Sequence, residues 1–395
     1  MTSKKIKLKN LITQPIQNGY SPVCPETPNG KWVLRLSALN GNGLDIDQKK
    51  PAPVNDLRVD EYLLRSGDFL ISRSNTLDKV GRSALFKGQI DNCSYPDLMM
   101  RFRVDDPRIH SGFLEHYLRT AEAVRHFRRA ASGTSGSMVK INKSVVENLQ
   151  VLLPSIEEQT AIASVLSTWD QAIDKAERLI TAKERGFSQL ITSLISKRCE
   201  AWEHLRAEEI FADVSSKRNG DAALLSVTQD RGVVPRTMLE GRVMSPEGST
   251  DSYKLINEGD FAVSLRSFQG GIEYSRYQGL ISPAYTVLRP RIKIHDEFYM
   301  HFFKSHIFIK QYLSIAVIGI RDGKQISIPD FMTVRIPLPP LDQQEQIAAV
   351  LNAAAQEIDL LKKQAYAYRK QKRGLMQKFF SGEGQLKTNI ERGTK

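Results

Sequence analysis

The sequence predicts an α+β protein in which two similar globular domains are joined by two long antiparallel coiled-coil helices with pseudo-twofold symmetry. Residues 113–196 return at 298–381 with a constant shift of 185 positions. Upstream the match continues with small length changes, since the Gly-Asp-Phe segment at 67–69 returns at 259–261. A repeat this long indicates a duplicated unit, because solenoid repeats have periods of only about 20 to 50 residues. Duplication within one chain favours a two-part or twofold partner.

Five segments follow from the repeat. The first globular domain is predicted over residues 1–153 and the first long helix over 154–200. The second domain is predicted over 201–338, the second long helix over 339–381 and a polar tail over 382–395. The same order of elements therefore occurs twice.

In the first domain, β-rich runs alternate with turn signals near 32–36, 68–73, 83–86 and 98–104, and a helix is predicted over 113–129. The second domain follows the same order, with strands near 224–228, 260–265 and 285–288, then a helix over 298–313. This order predicts the α+β class. The aromatic faces of the two helices are interpreted as core rather than as platforms for stacked bases.

The long helices are predicted from a seam of apolar residues spaced alternately by four and three. In each helix nine of the ten seam positions are apolar, the exceptions being Lys183 and Lys372. The residues expected to pair the helices are Ile162, Leu166, Trp169, Ile173, Ile180, Leu190, Leu194, Ile347, Leu351, Ile358, Leu361, Leu375 and Phe379. A 3.5-residue repeat over more than four heptads is typical of a coiled coil. The alternative is that each helix lies separately on its own domain.

The helix starts and lengths support the pairing. Ser155 and Glu158 form an S-x-x-E capping box after Pro154, whereas Pro340 replaces the capping serine in the second copy. From Ile162 to Leu194, a rise of 1.5 Å per residue predicts a rod of roughly 48 Å. Pseudo-twofold pairing makes the helices antiparallel, with one globular domain at each end.

The composition is that of an ordinary folded protein. With 395 residues, 41% hydrophobic and 25% charged, the chain can bury two cores. Its start lacks the apolar segment of a signal peptide and its longest apolar stretch, 313–320, is too short to span a bilayer, so we expect a cytoplasmic protein. Cys24, Cys93 and Cys199 form no C-x-x-C pair and are expected to be free thiols.

A net charge of +12 points to a polyanionic partner. The excess lies mainly in the first domain, where residues 1–150 carry 23 Lys and Arg against 15 Asp and Glu. Residues 201–337 carry 17 against 16. The second domain must therefore rely on local clusters of basic residues if it also contacts phosphates.

Three polar, Gly-rich and basic loop clusters recur in both domains. Cluster 1 follows the Gly-Asp-Phe strand, cluster 2 precedes the long helix, and cluster 3 lies near 37–42 and 226–231. Short polar side chains beside arginine suit both phosphate clamping and bidentate reading of base edges. The alternative is that these are solvated loops. The candidate binding residues are Ser37, Asn40, Ser72, Arg73, Asn75, Lys79, Arg82, Ser135, Gly136, Ser137, Lys140, Ser226, Thr228, Gln229, Ser264, Arg266, Ser267, Gln269, Arg321 and Lys324.

The sequence predicts no catalytic residue and no metal site. Segment 319–325 resembles a P-loop only superficially, because its glycines are one residue too close and Gln325 stands where Mg²⁺ needs Ser or Thr. No third glycine completes a dinucleotide loop at 41–43, and no H-E-x-x-H occurs. His116 and His301 match across the repeat and are interpreted as structural.

With these features the chain resembles the specificity subunits of type I restriction-modification enzymes over nearly its whole length. The most specific parts are the twice-occurring Leu-Pro-x-(Ile/Leu)-x-x-Gln at 153–159 and 338–344, and the Gly-Asp-Phe strand followed by Ser72-Arg73. The second copy inserts Leu265 before Arg266. The resemblance implies two target recognition domains that each read half of a split double-stranded DNA sequence, with the two helices setting the distance between the halves.

The resemblance also implies partners and cofactors. Two methyltransferase subunits would dock on the helices and adjoining domains, and restriction-translocase subunits would join them. S-adenosylmethionine, ATP and Mg²⁺ would belong to those partners, and none to this chain. The sequence leaves two other hypotheses open: a non-catalytic scaffold with two protein-binding domains, and an enzyme with an unrecognised site.

Overall fold

The computed structural model describes residues 4–133, 138–216, 222–239, 250–264, 272–318 and 325–381. The chain divides into two compact units. Unit 1 comprises Met1–Ala176 with Gln364–Lys395, and unit 2 comprises Glu177–Lys363. Each unit therefore holds one globular domain together with a part of both long helices.

Unit 1 has short strands and helices. The strands are β1 (Lys4–Lys7), β2 (Ile12–Asn18), β3 (Trp32–Leu34), β4 (Lys49–Pro51), β5 (Asp68–Ser72), β6 (Ser74–Asn75), β7 (Ser83–Leu85), β8 (Cys93–Ser94), β9 (Met99–Val104), β10 (Val139–Lys140) and β11 (Gln150–Leu153). The helices are α1 (Leu57–Asp60), α2 (Ser111–Tyr117), α3 (Ala121–Ala130), α4 (Lys143–Glu147) and the start of α5 (Ile156–Ile191).

An antiparallel sheet in the order β2-β9-β5-β7 carries the core of domain 1. Its inner face stacks Phe69 on Phe102, with ring centroids 5.1 Å apart, and packs against Phe113, Tyr117 and Phe127 of α2 and α3. All five rings are almost fully buried. The aromatic face of the predicted helix is therefore core, as the sequence indicated.

The single helix predicted over 113–129 is wrong in one respect, since α2 and α3 are separate. Thr120 lies between them and caps α3, because its Oγ1 accepts a hydrogen bond from Ala123 N at 3.3 Å. The same hydroxyl donates to Tyr117 O at 2.8 Å. A threonine that satisfies both helix ends stabilises a break that apolar spacing alone does not reveal.

Unit 2 repeats this architecture. Its strands are β12 (Glu203–Arg206), β13 (Phe211–Asp213), β14 (Leu225–Thr228), β15 (Gly232–Pro235), β16 (Lys254–Ile256), β17 (Phe261–Ser264), β18 (Ile272–Tyr274), β19 (Gly279–Ile281), β20 (Tyr285–Pro290), β21 (Val317–Ile318), β22 (Gln325–Ile326) and β23 (Arg335–Leu338). Its helices are α6 (Ala207–Ile210), α7 (Asp296–Lys304), α8 (Ile328–Thr333) and the start of α9 (Leu341–Ser381).

The sheet of domain 2 has the order β13-β20-β17-β18 and corresponds strand for strand to that of domain 1. Even the attachment of the first strand recurs: β1 pairs with β11, and β12 pairs with β23. Leu8 N donates to Leu149 O and Ala207 N donates to Val334 O, each at 2.8 Å. The duplication predicted from the sequence is thus present in the hydrogen bonding.

The helix predicted over 298–313 is also shorter than expected. It ends at Lys304, where Ser305 Oγ donates to Phe302 O at 2.6 Å, and a π turn (Phe308–Tyr312) and a 3-10 turn (Leu313–Ala316) follow. The change of geometry lets Phe302, Phe303 and Phe308 pack together, with centroid separations of 4.8 to 5.7 Å. Aromatic packing in the core outweighs regular helix continuation at this point.

The long helices α5 and α9 pair antiparallel in both units. In unit 1 Ile162 and Leu166, near the start of α5, share a core with Phe380 at the end of α9. In unit 2 Ile347 and Leu351, near the start of α9, share a core with the last turns of α5. The predicted α+β class and antiparallel coiled coil are therefore confirmed, and the alternative of separate helices is wrong.

Every predicted pairing residue lies on a buried or half-buried face. Fully or nearly fully buried are Ile162, Leu166, Ile173, Ile347, Leu351 and Ile358, and half-buried are Trp169, Ile180, Leu190, Leu194, Leu361, Leu375 and Phe379. At the end of α9, Phe380 is more buried than its neighbour in the predicted seam. The Trp169 and Tyr368 rings lie edge to face across the helix pair, 5.7 Å apart.

Candidate nucleic-acid interface

The strand that leads into cluster 1 is held by a buried carboxylate. Asp68, fully buried, accepts from Arg65 N at 2.7 Å and from Arg103 Nη2 at 2.7 Å. Asp260 repeats the arrangement, since it accepts from Asn257 N at 2.8 Å and bidentately from Arg289 at 2.7 Å. The Asp of each Gly-Asp-Phe motif thus ties a turn to two strands of the sheet. Its role was not evident from the sequence, where the motif served only as a landmark.

The backbone conformation explains why the first residue of the same motif is glycine. Gly67 and Gly259 have φ values of +93° and +87°, a region that side chains with a Cβ rarely adopt. Each glycine reverses the chain directly before the strand, so that the buried aspartate can reach back to the turn. The motif is therefore a turn and an anchor, and the candidate contacts begin after it.

Arg73 follows the strand with its backbone fixed on both sides. Its N–H donates to Leu98 O at 2.8 Å and its C=O accepts from Ile141 N at 2.9 Å. The side chain is half-buried, with Nη1 3.5 Å from Asp97 O. Only the guanidinium is left to recognise a ligand. Arg73 therefore remains a candidate DNA-binding residue, and its backbone is held in place by hydrogen bonds on both sides.

Ser72 was expected to contact the ligand, but it is fully buried. Its backbone pairs with Arg82 O and Gly81 N at 2.8 and 2.9 Å, and its hydroxyl accepts from Asn75 Nδ2 at 3.4 Å. We reassign Ser72 from a direct contact to a residue that positions the loop. Asn75 is half-buried, and Lys79 is exposed at the far end of the loop.

The fold brings clusters 1 and 2 of domain 1 together. Strand β10 pairs with β6, which places Lys140 opposite Ser74 and Val139 opposite Asn75. Lys140 is exposed beside the cluster 1 loop. The other cluster 2 candidates of this domain, Ser135, Gly136 and Ser137, lie outside the described residues.

Cluster 3 joins the same surface through Arg82. Gly41 has a φ of +97°, which favours glycine at this turn, and the Arg82 guanidinium packs against it at ordinary contact distance. Asn40 Oδ1 accepts from Asn42 N and Gly43 N at 2.8 and 3.0 Å and shapes the turn. Cluster 3 is therefore linked to cluster 1 by Arg82, whereas Asn40 only shapes its own turn.

Two further side chains make contacts beside the loop clusters. Ser37 is exposed and donates to Gln48 Oε1 at 2.8 Å. Arg128 of α3 donates to Asp78 O at 2.9 Å and ties the helix to the cluster 1 loop. Arg128 was missed in the sequence, although the basic run at 125, 128 and 129 was a visible signal for one basic helix face.

In domain 2 the described candidates lie on two strands. Ser226 and Thr228 belong to β14, and Thr228 Oγ1 donates to Gly232 O at 3.0 Å to close the β14-β15 hairpin. Gln229 is exposed at the hairpin turn, where its C=O accepts from Lys304 Nζ at 3.2 Å. Ser264 is half-buried at the end of β17. The candidates Arg266, Ser267, Gln269, Arg321 and Lys324 lie outside the described residues.

The two matched histidines are buried in the domain cores. Burial, followed by the charges of Lys372 and Arg119, lowers the pKa of His116 to about 2. Burial also lowers the pKa of His301, whose Nε2 lies 2.8 Å from Asn352 Oδ1. Neither lies in the surface formed by the three clusters. Over the part of the chain that the structure describes, no three His, Cys, Asp or Glu side chains gather as a metal site.

No described helix combines the length and the apolar character needed to cross a membrane. Both long helices carry charged residues on their exposed faces, such as Lys175 and Lys370.

Comparison with known proteins agrees with this architecture. The family model described as type I restriction modification DNA specificity domain matches twice, at residues 37–183 and 212–367. The putative type I restriction enzyme MjaX specificity subunit of Methanocaldococcus jannaschii is 24% identical over 97% of this chain and 93% of its own length. The EcoKI specificity subunit of Escherichia coli strain K12 is 26% identical over 56% of this chain and 48% of its own length.

Two solved structures share the fold. The crystal structure of the type I restriction-modification S subunit from M. genitalium has a TM-score of 0.60 at 15% identity and covers 96% of this chain and 99% of its own. A chain solved in work on complex assembly and conformational transition of the type I R-M system has a TM-score of 0.55 at 15% identity, over 96% and 97%. With two matched domains, two long helices and a relative that matches 97% of its length, the chain belongs to the family of type I restriction-modification specificity subunits.

Proposed function

We propose that each globular domain reads one half of a split double-stranded DNA target. The observation that supports this most strongly is the convergence of the three loop clusters of domain 1. Arg82 lies against the cluster 3 turn, and Lys140 is paired beside the cluster 1 loop. Loops from separate parts of the chain thus contribute to one basic surface.

Within this surface the residues have different proposed roles. Arg73 and Arg82 are half-buried and held by their neighbours, which suits the bidentate reading of base edges in the major groove. Lys79 and Lys140 are exposed and suit contacts with phosphates, which position a protein on DNA without selecting a sequence. In domain 2, we propose that Gln229 and Arg266 contact the other half of the DNA target.

The partners follow from the family. We propose that two methyltransferase subunits and restriction-translocase subunits assemble on this chain in the cytoplasm. S-adenosylmethionine, ATP and Mg²⁺ would be bound by those partners, and this chain would contribute recognition without catalysis. The related M. jannaschii chain is described as the specificity subunit of a type I restriction enzyme, which supports this division of labour.

The decisive experiment purifies the chain with its neighbouring methyltransferase subunit and maps methylated sites on genomic DNA. We expect one split motif, with two short defined halves separated by a gap of constant length. The purified chain alone should retain a duplex that carries this motif over a duplex with both halves scrambled. Equal retention of both duplexes, together with capture of a protein ligand, would instead support the scaffold hypothesis.

A further inference from the structure

The two units contain the same joint between a globular domain and the paired helices, but the joints differ in chemistry. Joint 1, in unit 1, consists of His116 on α2, Asp170 on α5 and Lys372 on α9. The shift of 185 residues places Lys372 at the position of Phe187. Joint 2, in unit 2, consists of Phe187 on α5 and His301 on α7. The same position is therefore a cation in one joint and an aromatic ring in the other.

Joint 1 is ionic. Lys372, the charged residue in the second apolar seam, pairs with Asp170 although it is only 8% exposed. Asp170 Oδ2 also lies 3.8 Å from His116 Nδ1 and from Arg119 Nη1, and Arg119 pairs with Glu115 at 2.6 Å. A buried ammonium group without a carboxylate is strongly unfavourable. Lys372 therefore requires the acid that Asp170 supplies.

Joint 2 is aromatic. The rings of Phe187 and His301 lie edge to face with centroids 5.9 Å apart, and His301 Nε2 is 2.8 Å from Asn352 Oδ1. Ala355 occupies the position equivalent to Asp170. Nearby Glu297 is engaged by Arg276 at 2.5 Å. Joint 2 thus holds a phenyl ring where joint 1 holds an ion pair.

The helix pair carries a second asymmetry. Helix α5 has six acidic and four basic residues, whereas α9 has four acidic and seven basic. Glu184 pairs with Lys362 at 2.6 Å, and Lys183 pairs with Glu357 at 2.7 Å. Opposite charges therefore meet when α5 pairs with α9.

Pairing of like helices from two copies would lose these contacts. With the same register, two α5 helices would place Phe187 of one copy against Asp170 of the other, and Glu184 against Glu177. Two α9 helices would place Lys372 against Ala355, and Lys362 against residue 369, an arginine. Pairing of two α9 helices leaves the buried Lys372 without its carboxylate, pairing of two α5 helices leaves the half-buried Asp170 without Lys372, and both set like charges opposite each other.

We infer that the two joints are not interchangeable: each accepts only the helix end that belongs to it, so α5 pairs with α9 and not with the α5 of a second copy. The duplicated sequence would otherwise allow both arrangements, because the two seams are almost equally apolar. The joints make a single chain close on itself and keep neighbouring copies from exchanging helices. Polar groups that select among pairings of apolar helices have this role in other coiled coils.

The test uses the full chain and two double variants that make the joints alike without opposing the native pairing. Lys372→Phe with Asp170→Ala converts joint 1 to the aromatic kind, and Phe187→Lys with Ala355→Asp converts joint 2 to the ionic kind. In both variants positions 170 and 187 of α5 become compatible with those of a second α5, while the exposed Glu184 still faces Glu177. The control, Lys370→Phe with Gln171→Ala, makes similar changes at exposed positions of the same helices.

A disulfide between two copies is used to detect pairing of α5 with a second α5. In the register described above, residue 180 of one α5 would approach residue 180 of a second α5, so Ile180→Cys forms a disulfide only between two copies. Cys24, which is partly exposed, is replaced by serine in every variant, while Cys93 and Cys199 are buried. Each protein is unfolded, refolded over a concentration series and oxidised, and the covalent dimer is measured on a non-reducing gel.

We expect both double variants to give at least five times more covalent dimer than the parent and the control. Circular dichroism and thermal unfolding verify that the variants are folded. Folded double variants with no more dimer than the parent would overturn the inference. Failure of both double variants to fold would also overturn it, because the inference requires each kind of joint to be stable in either unit.

Discussion

Gln159 Oε1 accepts a hydrogen bond from His110 N at 2.8 Å, which attaches the first turn of α5 to the start of α2. The amide group also donates to Pro154 O and Arg108 O at 3.0 and 2.9 Å. In unit 2 Gln344 binds His295 N at 2.8 Å and Pro339 O at 2.7 Å. The glutamine that ends each Leu-Pro-x-(Ile/Leu)-x-x-Gln motif is thus the same buried connection in both units.

We expect Gln159→Ala to lower the free energy of unfolding of unit 1 by about 2 to 3 kcal/mol, because it leaves a partly buried N–H and two C=O groups without partners. Gln344→Ala should act similarly on unit 2. Urea denaturation followed by fluorescence and circular dichroism measures both. Gln346→Ala, at an exposed position of α9, is the control. A loss below about 0.5 kcal/mol in both buried variants would contradict the assigned role.

Arg73→Ala should cost about 1 to 3 kcal/mol of DNA binding and relax the preference for one half-site only, because a base contact discriminates at its own position. Binding is measured on duplexes in which one half or the other is scrambled. The matched control is Lys9→Ala, which removes an exposed charge elsewhere in unit 1. Equal loss on the native and scrambled duplexes would show that Arg73 contacts phosphate instead.

Lys140→Ala should weaken binding to all sequences alike. Loss of one phosphate contact should reduce the slope of log K against log salt by about one. Titrations at several salt concentrations on native and scrambled duplexes measure that slope. A change of sequence preference without a change of slope would contradict the proposed phosphate contact.

The length of the helices should set the gap between half-sites. Removing one heptad from each helix, residues 174–180 and 359–365, preserves the seam and both joints, since Asp170, Lys372 and Phe187 remain. Each helix shortens by about 10 Å, so the preferred gap should shrink by roughly three base pairs at about 3.4 Å each. Mapping methylated sites with the methyltransferase subunit tests this. A folded variant that keeps the original gap would show that another feature sets the distance.

The half-sequences themselves should not change in the shortened variant, because the reading loops are untouched. Affinity should also fall, since three base pairs rotate the duplex by nearly a third of a turn relative to the second domain. Restoration of the heptads in both helices provides the control.

His116 should make unfolding pH-dependent. Its pKa is about 2 in the folded chain against an ordinary value of 6.5, so the unfolded state binds the extra proton between these limits. The stability contributed by neutral His116 is complete above pH 6.5 and is lost as the pH falls towards the folded pKa, by about 1 kcal/mol per pH unit. We expect His116→Gln to flatten the decline between pH 6.5 and 5. Parallel declines in the two proteins would refute this assignment.

The duplication, the long helices and the α+β class could be predicted from the sequence, because each depends on local or periodic information. An apolar residue at an average spacing of 3.5 positions predicts a paired helix without any knowledge of its surroundings. One lysine in each seam, Lys183 or Lys372, does not obscure this pattern, because the other nine positions are apolar. These features need no knowledge of distant contacts.

The tertiary structure decided what depends on long-range proximity. The break at Thr120, the burial of Ser72 and the approach of Arg82 to Gly41 each arise from residues that are distant in sequence or compete for the same hydrogen bonds. The same holds for Asp170 and Lys372, which are 202 residues apart and form an ion pair inside an apolar seam. Periodicity determines which face of a helix is buried, but only the packed chain determines which charge meets which partner there.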